Sequence, residues 1–499
     1  MATRAVWRPP WYAWALVGIA MLALLYRYQP TRLEGHWLAI TPLLVLAGVL
    51  ALRKLWELPP AVTLCAAIAL TVFSGGWSQM GLAGLPLNRL LVAVALLQIL
   101  LRAPGVAGMP QIQFRNVHLL MGLTLLYALA SAAVAETLSS KDGLLQLFDV
   151  FGVVPFLLFV VAPAVFAGQR ERDLLLATLV GLGAYLGLTA IFESLGPHSL
   201  VFPSYIRPFE VETLGAVKAA GPFQSPTAMG FACFACAVAA LIALARWRHS
   251  GARWLALLVA AACVFGCFLT LERGVWLATI VAAVVTALAT RTGRRWLVPG
   301  IAIAALALVG VFALSPTLSK NASERATYQQ SLWDRQNQTA AGLRMVEARP
   351  LFGFGLERYT ADSADYFRQP SDYPMTGYTH GIVIGVPDPI LPLHNTYLSY
   401  AVELGLLGAL LWLASIAWAI AGAILSRGPA PLRPWKLGLL AIAAFFLVVC
   451  LVDPHTAPFP MVLMFVWAGV AIGAKPLQAK ATLYSAPSWS GSSVASVPT

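Results

Sequence analysis

Residues 396–425 read TYLSYAVELGLLGALLWLASIAWAIAGAIL, a stretch in which Glu403 is the single charged side chain. A helix rises 1.5 Å per residue, so about 20 apolar residues cross the hydrocarbon layer of a bilayer. Similar apolar runs recur from residue 11 to residue 474. Of the 499 residues, 59% are hydrophobic and 11% are charged, too few polar groups to coat a water-soluble protein of this size. The sequence therefore predicts an all-α polytopic membrane protein.

The apolar runs predict about 12–14 transmembrane helices. No small-residue cleavage site follows the first run, so we expect an uncleaved first helix rather than a signal peptide. The predicted spans lie near 11–26, 37–52, 60–76, 85–101, 117–136, 149–167, 173–194, 227–245, 254–270, 275–290, 297–314, 396–425, 436–452 and 458–474.

The Lys and Arg residues of the short loops predict that both termini are cytoplasmic. Two longer segments, 195–226 and 315–395, then lie outside the cytoplasm. The predicted organisation is an N-terminal bundle of about eleven helices at 1–314, a large periplasmic loop domain at 315–395, C-terminal helices at 396–474 and a disordered cytoplasmic tail at 475–499.

Other classes of protein and site are disfavoured by where the charges and the cysteines lie. The formal charge of +12 is scattered over short loops, so no nucleic-acid partner is expected. All six cysteines fall inside apolar runs, including the C-x-x-C pair Cys233 and Cys236, and are expected to be packing residues without disulfides. The histidines show no ligand spacing, so neither a metal site nor another cofactor is predicted.

Three polar residues stand at predicted helix ends on the side of the large loop. Arg273 lies where two spans meet with almost no loop between them, and its planar fork of donors suits a phosphate or diphosphate. The alternative is a snorkelling or ion-paired arginine with Glu272 as its partner. Lys218 precedes a Gly-Pro turn and a helix N-terminus, where an ammonium can hold an anion; a solvated loop lysine is the alternative.

His394 precedes Asn395, which is a plausible N-cap for the helix that follows. The helix dipole disfavours a charged imidazole there, so the ring can accept a proton as a general base. Anchoring at the membrane interface is the alternative, and His380 is the rival base. Farther along the helix, Glu403 is interpreted as structural, and Gly405 and Gly408 as positions of close helix packing.

The order of four motifs carries a resemblance to a known family. They are Gly221-Pro222-Phe223 with Pro226, Arg273-Gly274 with Trp276, Arg349 to Gly355, and His394 to Leu398 with Glu403, Gly405 and Gly408. Together, over roughly residues 215–425, they resemble the bacterial O-antigen ligase and O-antigen polymerase superfamily.

This resemblance implies a GT-C-like fold in the bacterial inner membrane and an inverting, metal-independent glycosyl transfer at the periplasmic face. The implied donor is an undecaprenyl-diphosphate-linked glycan, and the acceptor is a glycan or the lipid A core. By the same resemblance, Arg273 and Lys218 hold the diphosphate and His394 acts on the acceptor hydroxyl. Lys218 replaces the usual arginine and Glu272 the usual small hydroxyl residue, so Glu272 is expected to pair with Arg273 and compete with the donor.

Two alternatives to a ligase remain open at this point. The first is an O-antigen or exopolysaccharide polymerase of the same superfamily. The second, from another class, is a lipid-linked glycan flippase or transporter, although such proteins place charged residues near the membrane midplane and often show internal repeats. The large loop also contains six arginines, which are Arg325, Arg335, Arg344, Arg349, Arg358 and Arg368. They are interpreted as paired or solvated surface charges unless they contact glycan.

Overall fold

The computed structural model describes residues 37–77, 79–80, 86–102, 112–206, 217–327, 329–367, 373–374, 392–454 and 457–474. Within these ranges the chain is helical and has no strand, so the predicted all-α class is confirmed. The main helices are α1 Trp37–Glu57, α2 Pro60–Thr71, α3 Leu87–Arg102, α4 Asn116–Val134, α5 Val153–Val165, α6 Gln169–Leu195, α7 Pro226–Arg246, α8 Ser250–Leu269, α9 Arg273–Leu288, α10 Arg291–Leu314, α11 Pro316–Thr327, α12 Gln330–Ala348, α13 Thr396–Leu425, α14 Arg433–Val449 and α15 Pro458–Ile472.

Seven segments of the described chain are long and apolar enough to cross a membrane: α4, α6, α7, α8, α13, and residues 143–165 and 430–449, which contain α5 and α14. Four further apolar helices, α2, α3, α9 and α15, are shorter. Each predicted span from 37–52 onward coincides with a described helix, and the span 396–425 has the bounds of α13. The predicted span 11–26, the C-terminal tail and His380 lie outside the described residues.

Helices α7 and α15 form the centre of the bundle. Almost every residue of α15 is buried, and α7 packs against α6, α8 and α14. Glycines also allow close contacts with other helices, because a Cβ on Gly230 of α7 would meet the side chain of Val275 in α9, and one on Gly469 of α15 would meet Ala162 in α5. The six cysteines are buried and free, as expected for packing residues.

Helix α13 is broken at Gly405, which has φ 68° and ψ 176°. The backbone groups released by the break are satisfied by the segment 350–355. Phe354 N donates to Val402 O at 2.9 Å and Gly355 N to Glu403 O at 2.8 Å, while Leu406 N donates to Pro350 O at 2.8 Å. We name residues 396–404 the outer segment of α13.

The two glycines of this helix have different roles. A Cβ on Gly408 would overlap the ring of Tyr127, which agrees with the expected close packing. A Cβ on Gly405 would overlap the carbonyl of Leu351, and its φ lies in the left-handed region that favours glycine. Gly405 therefore serves a backbone break and the docking of a loop, rather than the helix packing expected from its spacing.

The large segment between α10 and α13 is helical where it is described. Helix α12 lies along the start of α13, and a Cβ on Gly342 would touch Leu393 and Leu398. A small apolar cluster of Met345, Tyr359, Leu393 and Val402 joins the two. Helix α12 is thereby fixed beside the beginning of α13, where the site residues gather.

Candidate active site

The turn that carries Lys218 is held by a buried carboxylate. Glu193, in the last turn of α6, accepts hydrogen bonds from Ala220 N at 3.1 Å and Gly221 N at 2.9 Å. Ala219 N donates to Leu269 O at 3.1 Å, which joins the same turn to the end of α8. The lysine backbone is thereby fixed beside the short connection between α8 and α9.

Helix α12 presents one polar face to this connection. Ser331, Arg335 and Gln338 are spaced i, i+4 and i+7, which places them on one side of the helix. Ser331 Oγ accepts a hydrogen bond from Nη2 of Arg273 at 3.1 Å. Arg273 stands at the N-terminus of α9, so the guanidinium is placed where helix N–H groups also favour an anion.

Glu272 joins two cations from distant parts of the chain. Its Oε2 lies 3.3 Å from Lys218 Nζ, and its Oε1 lies 2.9 Å from Nη2 of Arg335. The Glu272 side chain is 8% exposed, so water screens these pairs weakly. A pair between Glu272 and Arg273 is a prediction from the sequence; the salt bridges above add Lys218 and Arg335 as partners of the same carboxylate.

His394 is oriented by Gln338. Gln338 Oε1 accepts the backbone N–H of His394 at 3.3 Å and lies 2.8 Å from its Nδ1. Because a backbone N–H can only donate, this atom of Gln338 is the amide oxygen, and Nδ1 must carry the ring proton to complete the second hydrogen bond. The lone pair is then on Nε2, which is the nitrogen able to take a proton from a substrate.

Asp453 faces the free ring nitrogen. Its Oδ1 lies 3.9 Å from Nε2 of His394, beyond direct hydrogen-bond distance. Thr396 ties the two loops together, since its N–H donates to Cys450 O at 2.8 Å and its hydroxyl to Asp453 O at 2.9 Å. Asn395 caps α13 through its side chain, which accepts from Leu398 N at 3.0 Å, so the predicted N-cap is confirmed.

Burial sets the protonation of both groups. Burial, together with the positive charge of Arg335, lowers the pKa of His394 to about 4. Burial also raises the pKa of Asp453 to about 7, with the negative charge of Glu272 adding to the rise. The imidazole is therefore neutral at pH 7 and able to act as a base.

The structure brings Lys218, Arg273 and His394 to one end of the helical bundle, linked through Glu272 and the polar face of α12. Sequence reasoning missed Gln338 and Asp453, and it grouped Arg335 with surface charges. The i, i+4, i+7 spacing of polar residues in α12 was the signal that could have pointed to Arg335 and Gln338. No comparable pattern marks Asp453, whose place depends on the packing of α14 against α13.

The remaining arginines of the large segment make local contacts. Arg344 donates to Tyr366 O at 2.9 Å, Arg358 pairs with Asp362 at 2.7 Å, and the guanidinium of Arg349 lies 4.6 Å from the ring centre of Phe354. The Arg325 side chain and Arg368 lie outside the described residues. In the described part of the chain, no group of three or more His, Cys, Asp or Glu side chains could hold a metal ion.

Part of the chain that builds this site matches a family of known proteins. Residues 258–413, less than half of the chain, match the family model described as O-Antigen ligase. This match supports the resemblance to the O-antigen ligase and polymerase superfamily. An O-antigen ligase of Salmonella typhimurium is 24% identical over 216 residues, which cover 41% of this chain and 49% of that protein. The chain thus matches about half the length of that relative.

The part of the chain that matches this family model includes most of the residues that meet at the site. Arg273, Arg335, Gln338 and His394 lie within residues 258–413, as does the break of α13 at Gly405. Lys218 and Asp453 lie outside the matched region and join it through the contacts with Glu272 and Thr396 described above.

Proposed function

We propose that the protein is a membrane glycosyltransferase that moves an undecaprenyl-diphosphate-linked glycan onto an acceptor hydroxyl at the periplasmic face. The observation that carries the proposal is the convergence of Lys218 and Arg335 on Glu272, beside a neutral histidine and next to Arg273. A general base next to a set of cations is what displacement of a diphosphate by a hydroxyl requires. The match of residues 258–413 to the family model described as O-Antigen ligase supports the same class of reaction.

Charge matching favours a diphosphate as the leaving group. Lys218, Arg273 and Arg335 contribute three positive charges and Glu272 one negative charge, which leaves +2; Asp453, with a pKa of about 7, takes away about half a charge at pH 7. A glycosyl diphosphate ester carries about two negative charges at neutral pH, so the donor offsets the positive charge of the site. Arg273 supplies the planar fork that suits two oxygens of one phosphate, while Lys218 supplies a point charge.

The proposed reaction is a direct displacement at the anomeric carbon. Nε2 of His394 takes the proton of the acceptor hydroxyl as its oxygen forms the new bond to that carbon. The bond from the anomeric carbon to the diphosphate breaks, and the diphosphate leaves with the electron pair. Arg273 and Lys218 stabilise the negative charge that grows on it. The proton on His394 is then released to solvent, so the chemistry inverts the configuration and uses no metal.

The test is transfer by purified protein supplied with a lipid-linked glycan and candidate acceptors. His394→Ala should lose product while keeping wild-type expression and melting temperature. His198→Ala is the matched control, because His198 is an exposed histidine outside the cluster and its loss should leave the rate unchanged. Retained turnover in His394→Ala would remove this histidine from the role of base.

The ligase and polymerase alternatives differ in what a deletion strain accumulates. Loss of a ligase leaves polymer on its lipid carrier, whereas loss of a polymerase leaves single repeats on the final acceptor. A flippase or transporter is distinguished by reconstitution in vesicles, because it moves the lipid without forming a glycosidic bond. We favour the ligase, since the family model described as O-Antigen ligase covers the proposed base His394 and, of the diphosphate site, Arg273.

A further inference from the structure

A large concavity lies beside the outer segment of α13. Its volume is about 900 Å³, within the range of small-molecule binding sites. One wall is the end of α4, including Tyr127 and Ser131, and the other is the chain from Arg349 to Tyr366. We name this space the loop cleft.

The loop cleft is built into the same body as His394. Its wall at 353–355 is hydrogen-bonded to Val402 and Glu403 of the outer segment of α13, at 2.9 and 2.8 Å. Leu356 N donates to Ser131 Oγ at 3.2 Å, which joins this wall to α4. The cleft is therefore a formed feature at the same end of the bundle as the proposed base, separate from the three cations.

The side chains of the cleft combine aromatic rings with polar groups. Phe352 is 67% exposed, and Phe354 and Tyr366 meet edge to face with ring centres 5.7 Å apart. Aromatic faces of this kind pack against the C–H faces of sugar rings, while carboxylates and guanidinium groups bond to sugar hydroxyls. Asp365, which also lines the cleft, is exposed.

The charge of the cleft disfavours an anionic ligand. Its lining holds Arg349 and Arg358 against Glu136, Asp362 and Asp365, a sum of two positive and three negative charges, or −1. Arg358 is moreover engaged by both oxygens of Asp362, at 2.7 and 3.1 Å. A diphosphate is thus better placed at Lys218 and Arg273, and the cleft suits an uncharged ligand rich in hydroxyl groups.

We propose that the loop cleft binds an uncharged oligosaccharide, with Phe352 as the stacking platform. The proposal rests on the proposed function, since it assigns a glycan subsite to the same transferase. Two glycans share this chemistry: the acceptor, and the sugars of the donor chain that lie beyond the reacting residue.

The test compares Phe352→Ala with Leu351→Ala in the purified full chain. Leu351 is a matched control, because it is the neighbouring residue, is 62% exposed and does not line the cleft. We expect Phe352→Ala to raise the KM of one substrate about tenfold, equivalent to about 1.4 kcal/mol, with little change in kcat. A rise confined to the acceptor assigns the cleft to the acceptor, and one confined to the donor assigns it to the distal donor sugars. Unchanged KM values for both substrates overturn the proposal.

A binding measurement separates failure of this proposal from failure of the proposed function. The probes are an uncharged oligosaccharide of the outer core, free of lipid A and of acidic sugars, and an uncharged glycan released from its polyprenyl diphosphate by mild acid. Binding of either probe to the wild type and to Leu351→Ala, weakened about tenfold in Phe352→Ala, supports the cleft even if no transfer is detected. Equal affinity for the wild type and Phe352→Ala, or no binding of either probe, overturns the cleft whatever the transfer assay gives.

Discussion

The pH dependence of transfer tests the environment of His394 most directly. With a pKa of about 4, this imidazole is about 97% neutral at pH 5.5. A solvated imidazole with a pKa of about 6.5 would be about 9% neutral at that pH. The sign follows from burial, because a lowered pKa keeps the neutral base available at lower pH. The rate should therefore persist at pH 5.5, where an ordinary histidine would lose about tenfold.

The assay is the initial rate of transfer in detergent micelles between pH 4.5 and pH 8, with the lipid-linked donor varied. The ratio kcat/KM for the donor reports the groups of the enzyme before the donor binds. Asp453 also titrates in this range, since its pKa is about 7. The variant Asp453→Asn removes that titration and keeps the hydrogen bond from Thr396, which uses the backbone oxygen of Asp453.

In Asp453→Asn, we expect kcat/KM to stay level from pH 7.5 to about pH 5 and to fall only below it. Adding Arg335→Gln should move this fall to higher pH, because the positive charge of Arg335 lowers the pKa of His394. The comparison uses the pH at the midpoint of the fall in kcat/KM rather than the absolute rate, because Arg335 also pairs with Glu272 and its loss changes the rate by that route too. A fall centred near pH 6.5 in Asp453→Asn would refute the buried neutral base.

Three further changes give distinct outcomes. Arg273→Lys should reduce kcat/KM for the donor about tenfold to a hundredfold if the fork of the guanidinium is used, and leave it near wild type if charge alone counts. Glu272→Gln should lower the donor KM, because no carboxylate then competes for the cations. It should also lower the melting temperature, because the buried Lys218 and the partly buried Arg335 each lose a salt bridge. An unchanged KM would contradict the competition. Gly405→Ala should destabilise the protein by more than about 1–2 kcal/mol, the cost of a left-handed alanine. Gly422→Ala is the control, because the nearest neighbour atom lies at 3.8 Å, and it should be near neutral by thermal unfolding. Equal melting temperatures for the two variants would exclude a structural role for the break.

The helices were predictable because the requirement to span a bilayer is local. An apolar run of sufficient length predicts a helix whatever its neighbours are, and the predicted span 396–425 has the bounds of α13. The break at Gly405 was not predictable in this way, since it depends on a loop some fifty residues earlier in the chain that occupies the gap. Helix α12 was also missed, because its polar residues face a site rather than lipid.

The site was predictable only where a residue stands at a helix end. Arg273, Lys218 and His394 could be singled out because loops of the same predicted side carry them. Their partners could not, because the salt bridges of Glu272 span 54 and 63 residues of sequence. Gln338 contacts His394 twice, at its backbone N–H and at Nδ1; the helical spacing of the polar residues in α12 could have marked Gln338, but it does not indicate which residue Gln338 contacts.

The break in α13 makes the continuity of this helix depend on a separate part of the chain. Residues 350–355 are hydrogen-bonded on both sides of Gly405: Phe354 N and Gly355 N donate to Val402 O and Glu403 O of the outer segment, and Leu406 N, beyond the break, donates to Pro350 O. The loop therefore holds the outer segment in line with the rest of α13, so a substitution that displaces the loop also displaces the helix end beside the imidazole of His394.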